Sequence, residues 1–255
     1  MAILAIDSGN SYIKWGLYEA NQWLKKGKVY QNDFSLLVIE FKQLSKPQIV
    51  VVSHVGSAVA RCEIANIITS LYALEPNWVV AQKYGFGITN RYINPMQLGC
   101  DRWLALIAAW EKINRRRCLV VNVGTAMTID VLTDHGEFLG GIIAPSAYLV
   151  FKSLCLSTQL DYSQKGSYDD FPLTTNEAIY SGAIHCLIGA IERMHQLLVD
   201  KLNCSMVDCV ISGGGASILL PFIKLPIVFV DELVLEGLAI IGNSDQISSC
   251  SSSFK

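Results

Sequence analysis

The segment Leu4-Ala5-Ile6-Asp7-Ser8-Gly9-Asn10 returns as Leu119-Val120-Val121-Asn122-Val123-Gly124-Thr125, at a constant offset of 115 residues. Each copy is an apolar strand closed by a short side chain with a carbonyl oxygen, one spacer, a glycine and a small polar residue. A second echo follows in the same order, Val51-Val52-Ser53 with Gly56 and Val210-Ile211-Ser212 with Gly213, Gly214 and Gly215. Two matches in one order predict a chain built from two related α/β halves. A length of 255 residues suits one to two domains at about 150 residues each. The basic turn Arg115-Arg116-Arg117 marks the boundary. We therefore expect domains over 1–115 and 116–243, with a disordered tail over 244–255, where Ser248, Ser249, Ser251, Ser252 and Ser253 cluster.

Other elements follow from periodicity. Tyr12, Trp15, Leu17 and Tyr18 predict a second strand, with Asn21-Gln22 as the next turn. Phe34–Leu44 has helical spacing, Ile49–Val52 reads as a buried strand, and a further helix falls near Glu63–Leu71. Asp101 opens an amphipathic helix containing Trp103, Leu104, Ile107 and Trp110, and Asn176–Leu202 predicts a long helix in the second half.

Composition removes several classes of function. Hydrophobic residues make up 51% of the chain and charged ones 16%, ample material for a large core. The 20 basic and 22 acidic residues leave a net charge of −2 with His neutral, without the basic excess that drives phosphate-backbone binding. Nucleic acid is not an expected partner. The eight cysteines are scattered without a Cys-x-x-Cys pair, and the four histidines form no ligand cluster with them, so no protein-held metal site is predicted. No apolar run reaches the roughly 18 residues of a membrane span, and Asp7 interrupts the initial apolar run too early for a signal-peptide core. The chain reads as reduced, soluble and cytoplasmic.

The repeated turns carry the first chemistry. A glycine directly after a buried strand lets backbone amides approach a phosphate, and Asn10 or Thr125 can donate to the same oxygens. Asp7, at the carboxyl end of its strand, can hold magnesium through water. There is no Gly-x-x-x-x-Gly-Lys-Ser/Thr loop, and no Gly-x-Gly-x-x-Gly follows a strand, which excludes a Walker-type site and leaves a dinucleotide oxidoreductase unsupported. The duplicated arrangement resembles the actin-like ATPase superfamily, which includes acetate and sugar kinases. That resemblance implies two actin-like (ribonuclease H-like) α/β domains with a nucleotide cleft between them.

The stretch Tyr92-Ile93-Asn94-Pro95-Met96-Gln97-Leu98-Gly99-Cys100-Asp101-Arg102-Trp103 has two readings. In one, Asp101 caps a helix and Trp103 packs in the core. In the other, Asp101 accepts a hydroxyl proton and Arg102 binds an anionic substrate, the parts that phosphoryl transfer needs beside a phosphate clamp.

Five motifs occur together. Asp7-x-Gly9-Asn10 is followed by Tyr92-x-x-Pro95, leading to Gly99-x-Asp101-Arg102-Trp103, and then by Gly124-Thr125-Ala126-x-Thr128. Gly140-Gly141-x-Ile143-x-Pro145 and Leu233-Val234-Leu235-Glu236-Gly237-Leu238 complete the set. In this order and spacing they resemble the type III pantothenate kinases, also called the Bvg accessory factor family, from Met1 to about Gly242. The resemblance implies a transferase that phosphorylates pantothenate at its primary hydroxyl with ATP and Mg2+, the first step of coenzyme A biosynthesis. By the same resemblance Asp101 is the catalytic base, and Tyr92, Gly99, Cys100, Asp101 and Arg102 hold pantothenate. Thr175 reaches pantothenate across a homodimer interface. Asp7, Ser8, Gly9, Asn10, Ser11, Tyr12, Ile13 and Lys14 form the first ATP segment, and Thr125 lies in the second. From the residues alone Thr175 reads as a helix N-cap, and Lys14, away from phosphate, as a solvated strand residue. Gly140-Gly141 reads as a close turn and His54 as structural.

One position departs from the family. Its second turn usually carries Asp, associated with a monovalent cation (potassium or ammonium), where this chain has Asn122. An amide keeps a carbonyl oxygen but not the anionic charge, so we expect cation dependence to be weakened or rebuilt. Two alternatives stay open: a non-catalytic regulator that binds nucleotide or pantothenate, and a superfamily kinase for a sugar or acetate. Intact Asp7 and Asp101 argue against the first, and the Tyr92–Trp103 block against the second.

Overall fold

The computed structural model describes residues 1–157, 166–204 and 207–244. The chain divides into two compact units, one of Met1–Glu111 with the segment from Glu232, the other of Lys112–Asp231. The first contains β1 (Ile3–Ser8), β2 (Tyr12–Glu19), β3 (Gln22–Tyr30), α1 (Phe34–Lys42), β4 (Ile49–His54) and α2 (Ala58–Tyr72). It continues with β5 (Asn77–Trp78), the small hairpin β6 (Tyr84–Gly85) and β7 (Ile88–Asn90), and α3 (Cys100–Lys112). The second holds β8 (Cys118–Val123), β9 (Ala126–Leu132), β10 (Glu137–Pro145), α4 (Ala147–Ser157), α5 (Thr175–Leu202), β11 (Asp208–Ser212), α6 (Ala216–Leu219) and β12 (Ile227–Phe229). A last helix, α7 (Leu233–Gly242), belongs to the first unit.

The duplication seen in sequence is a duplication of topology. The first unit orders its sheet β3-β2-β1-β4-β5, and within the second the order is β10-β9-β8-β11-β12. In both, the first strand pairs antiparallel with the second and parallel with the fourth. The two echoes fall in register: Asp7 faces Ser53 across β1–β4, and Asn122 faces Ser212 across β8–β11. The second turn is one residue shorter, because Ser8 pairs with Ile13 but Val123 pairs with Met127.

β1 is apolar from Ile3 to Ile6 because it is covered on both faces. Leu4 and Ile6 join Trp15, Leu37, Phe41, Ile64 and Ile68 in one core cluster. Ile3 and Ala5 join Val51, Leu104, Leu235 and Leu238 in another. This second cluster explains why the observed units depart from a boundary at residue 243: α7 supplies part of the first unit's core, so the chain returns to that unit at Glu232. The expected tail lies, from residue 245 on, outside the described residues.

Several local expectations shift. The β2–β3 turn falls at Ala20-Asn21, both with positive φ (49° and 62°), which matches strand twist in a two-residue hairpin, and Gln22 already belongs to β3. Gly140-Gly141 lies inside β10 rather than in a close turn. Gly140 has φ +116° at an irregularity in the β9–β10 register, and a side chain on Gly141 would collide with Asp130 and the backbone of Ile129. The helix opened near Asp101 is enclosed rather than amphipathic, since every residue from Arg102 to Trp110 is buried. α7 closes against it from one side. Gly85 and Gly87 of the β6–β7 hairpin approach Trp103 and Trp110 from another.

Gly237 sets the closeness of α7 and α3. A methyl group there would lie 2.8 Å from the carbonyl carbon of Leu104 and nearer still to its oxygen. Gly237→Ala is therefore expected to destabilise the protein by roughly 1–3 kcal/mol through overpacking, against the gain of about 1 kcal/mol usual for Gly→Ala in a helix. A thermal melt that rises in the variant would show that the two helices can separate without loss.

Candidate active site

β1 delivers Asp7 to the end of the first unit's sheet. The residue is half-buried, and its Oδ1 is shielded from solvent with no hydrogen-bond partner among the described residues. Burial, then the nearby charge of Asp101, push the carboxyl up from 3.8 to about 7. Lys14 and a hydrogen bond from Ser53 pull it down, and Glu232 adds a smaller upward push. Lys14 stands opposite Asp7 on β2 and Ser53 opposite it on β4, so a cation and a hydroxyl flank the carboxylate on one face of the sheet.

The turn after Asp7 is braced from below. Ser8 is buried, and its Oγ takes the Nε2–H of Gln31 at 3.3 Å and shares a hydrogen bond with His54 Nδ1 at 3.0 Å. Its carbonyl accepts from Val55 N at 3.1 Å, and Gln31 N donates to Ser11 O at 3.1 Å. The Gly9 amide donates to Tyr12 O at 3.1 Å, leaving Asn10 and Ser11 exposed at the tip. Burial, then Arg61, lower the His54 pKa, so the ring is neutral near pH 7 and serves as a brace. Tyr12 stacks on Tyr30 with ring centroids 4.9 Å apart. The Ile13 side chain is fully buried in the core, so a ligand at this segment can meet only its backbone. Lys14 is half-buried and paired with Glu232 at 2.7 Å, not a solvated strand residue.

α3 brings the second carboxylate. Its first residue, Cys100, is buried. Its Sγ accepts from His54 N at 3.3 Å, donates to His54 O at 3.4 Å and lies 3.5 Å from Ser53 Oγ. The thiol therefore docks the helix onto the end of β4, and burial pushes its pKa up. Asp101 is the second residue of α3 and half-buried; its Oδ1 accepts from Arg102 N at 2.8 Å. Burial raises its pKa, opposed by that amide and by the Arg102 charge. Gly99 is needed beside it, because a Cβ there would run into the Asp101 carboxylate.

Arg102 is buried and directed at Tyr92: Nη1 donates to the Tyr92 hydroxyl at 2.9 Å, with the guanidinium carbon 5.7 Å from the ring centroid. The loop carrying Tyr92 is fixed by buried Asn90, whose side chain donates to Pro95 O at 3.1 Å and accepts from Tyr92 N at 3.0 Å. Asn94 accepts from Met96 N at 3.1 Å, and Pro95 opens a single 3-10 turn. The first unit thus gathers Asp7, Lys14, Tyr92, Gly99, Cys100, Asp101 and Arg102.

The corresponding turn of the second unit carries Asn122, half-buried, and Thr125, exposed. Gly124 N donates to Ala126 O at 2.9 Å, and Gly215 N to Val123 O at 3.0 Å. Gly213, with φ +98°, lies so close that a Cβ would come within 2.7 Å of the Val123 carbonyl carbon and 2.8 Å of Asn122 Oδ1. Gly213 and Gly215 are the backbone seat of this turn. Thr175 is exposed and is the first helical residue of α5, not its cap. Thr174 is the N-cap, accepting from Glu177 N at 3.3 Å and donating to its carboxylate at 2.9 Å. Gln31, Asn90 and Glu232 carry no motif signal; Ser53 is marked by the second echo alone. No group of three or more His, Cys, Asp or Glu side chains is arranged to hold a metal among the described residues.

Two units whose five strands follow the same order, each with a glycine turn beside a carboxylate or amide, define a two-domain α/β fold of the actin-like kind. A solved activator of 2-hydroxyisocaproyl-CoA dehydratase from Clostridium difficile shares this fold at a TM-score of 0.54 and 12% identity, over 100% of this chain and 98% of its own. A Campylobacter jejuni structure named for the Baf family of transcriptional activators does so at 0.56 and 21%, over 93% and 96%. A type III pantothenate kinase of Nitrosospira multiformis is 44% identical over 239 residues, 94% of this chain and 90% of the relative. Residues 3–197 match the family described as type III pantothenate kinase. The chain belongs to that family.

Proposed function

We propose that the first-unit cluster is where this chain performs its family's reaction, with Asp101 as the base. The reaction is ATP-dependent phosphorylation of pantothenate, an alcohol acceptor, in coenzyme A biosynthesis. The observation that carries the assignment is Asp101 in the first turn of α3, a carboxylate with raised proton affinity beside Asp7 and next to the Arg102–Tyr92 pair. A carboxylate there can orient the attacking hydroxyl and take its proton, while the guanidinium meets the pantothenate carboxylate. Gly99 and the backbone of Cys100 complete the substrate side, with Thr175 from the partner copy.

Asp7 to Lys14 and Thr125 are the ATP contacts in this reading, with amides and hydroxyls donating to phosphate oxygens. The buried, unpartnered Oδ1 of Asp7 fits a hydrated magnesium ion. Bound with ATP, magnesium neutralises charge on the phosphates. The protein is a cytoplasmic homodimer in this reading. No helix among the described residues is long and apolar enough to cross a membrane, and Phe171 and Leu173, beside Thr175, are 85% and 96% exposed, an apolar edge that a second copy would cover.

The assay is phosphopantothenate formation from pantothenate, ATP and magnesium, with and without potassium or ammonium. Product is expected, and its absence from folded protein that binds ATP would move the reading to a regulator. Because Asn122 lacks a charge, half-activation by potassium should need more cation than in an Asp-bearing relative. Asn122→Asp should lower that concentration about tenfold, equivalent to about 1.4 kcal/mol. Nil activity without added cation, together with an unshifted half-activation in Asn122→Asp, would contradict this.

A further inference from the structure

Lys14 and Glu232 meet across 218 positions of sequence, Nζ to Oε2 at 2.7 Å, with both side chains only 23% exposed. Lys14 stands opposite Asp7 in the β1–β2 register, so its stem rises from the same face of the sheet as the Asp7 carboxylate. Glu232 is close enough to raise the proton affinity of Asp7, as Lys14 lowers it.

Glu232 occupies the N-cap of α7, where Ser, Thr, Asp or Asn usually accept from the first turn. Its side chain makes no capping hydrogen bond and is directed to Lys14 instead. The position at the start of a helix favours the charged carboxylate. An ammonium has three donors, and Glu232 accepts from one, so the others stay available to an anion. A free lysine side chain gives up as much as ~2 kcal/mol of rotamer freedom when it is ordered; anchoring on Glu232 removes part of that cost before a ligand arrives.

We infer that Glu232 is a positioning residue of the phosphoryl-donor site: it holds Lys14 beside Asp7 so that the remaining ammonium donors meet the triphosphate. This rests on Asp7–Lys14 being the first phosphate segment.

Steady-state kinetics with varied ATP test it. Glu232→Ala should raise the KM for ATP by about three- to tenfold, with kcat and the KM for pantothenate moving by less than about twofold. Glu232→Gln keeps an accepting oxygen and should lose less than Glu232→Ala. Lys14→Met should raise the KM for ATP by itself, and adding Glu232→Ala to it should change nothing further, since the two act as one unit. If Lys14→Met raises that KM while Glu232→Ala leaves it unchanged or lowers it, Glu232 does not position Lys14. The positioning role is equally overturned if Glu232→Ala costs as much in the Lys14→Met background as alone. If Lys14→Met leaves the KM for ATP untouched, the phosphate-segment reading itself falls. Should Glu232→Ala melt below the assay temperature, Glu232→Gln alone and in Lys14→Met carries the same comparison.

Discussion

Asp101→Asn is expected to lower kcat by about 100- to 10,000-fold, the usual range for a lost general base, while the thermal transition stays close to that of the parent. The substitution is nearly isosteric, and the amide oxygen can still accept from the Arg102 backbone at the 2.8 Å contact now made by Oδ1. It cannot take a proton from a hydroxyl. Burial raises the Asp101 pKa, so in the parent the acidic limb of kcat/KM should lie above the ordinary carboxylate range, with activity lost as pH falls through it. A variant that keeps its turnover would remove Asp101 from the base role. A variant whose KM for pantothenate rises while kcat holds would recast it as a binding residue.

Asp7→Asn is expected to lower turnover by at least about 100-fold, because electrostatic positioning dominates phosphoryl transfer, yet to stabilise the free protein in alkaline solution. Burial and Asp101 raise the Asp7 pKa to about 7 from 3.8. The folded protein therefore keeps a proton that the unfolded chain releases at lower pH. That contribution to stability is fully present below about pH 4 and is lost as pH rises through 7, each unit of displacement being worth about 1.4 kcal/mol. Asn has no such proton to lose. Melts without nucleotide or magnesium should show Asp7→Asn gaining on the parent at pH 8 and much less at pH 5. An equal difference at both would mean that Asp7 is solvated as an ordinary carboxylate.

What the sequence disclosed follows from how each residue is constrained. β1, β4, β8 and β11 are legible because they are covered on both faces and each carries an unbroken apolar run before its polar end. The paired turns are legible because a buried strand ending in Gly has few other uses. β3 is not, since Lys25, Lys26 and Lys28 fall on both of its faces, with long stems that hide its period-two pattern. β10 reads as broken at Gly140-Gly141, where the glycines serve a bulge against β9 rather than a turn. In the site, Asp101 and Arg102 stand out as a charged pair at a helix start, whereas Gln31, Asn90 and Glu232 gain their roles only through contacts made by folding. Ile13 is the converse case, a residue inside a functional motif whose side chain belongs to the core.

The return of the chain to its first unit bears on synthesis. Ile3, Ala5 and Val51 leave the ribosome early, but Leu235 and Leu238, which pack against them, follow only after the whole of Lys112–Asp231 has been made. At about 5–20 residues per second that interval lasts on the order of 10 s, during which one face of β1 and β4 waits without its last helix. Folding of the amino-terminal half is thus completed by the carboxyl-terminal end, and a nascent chain halted before Leu233 would present an apolar sheet face to chaperones.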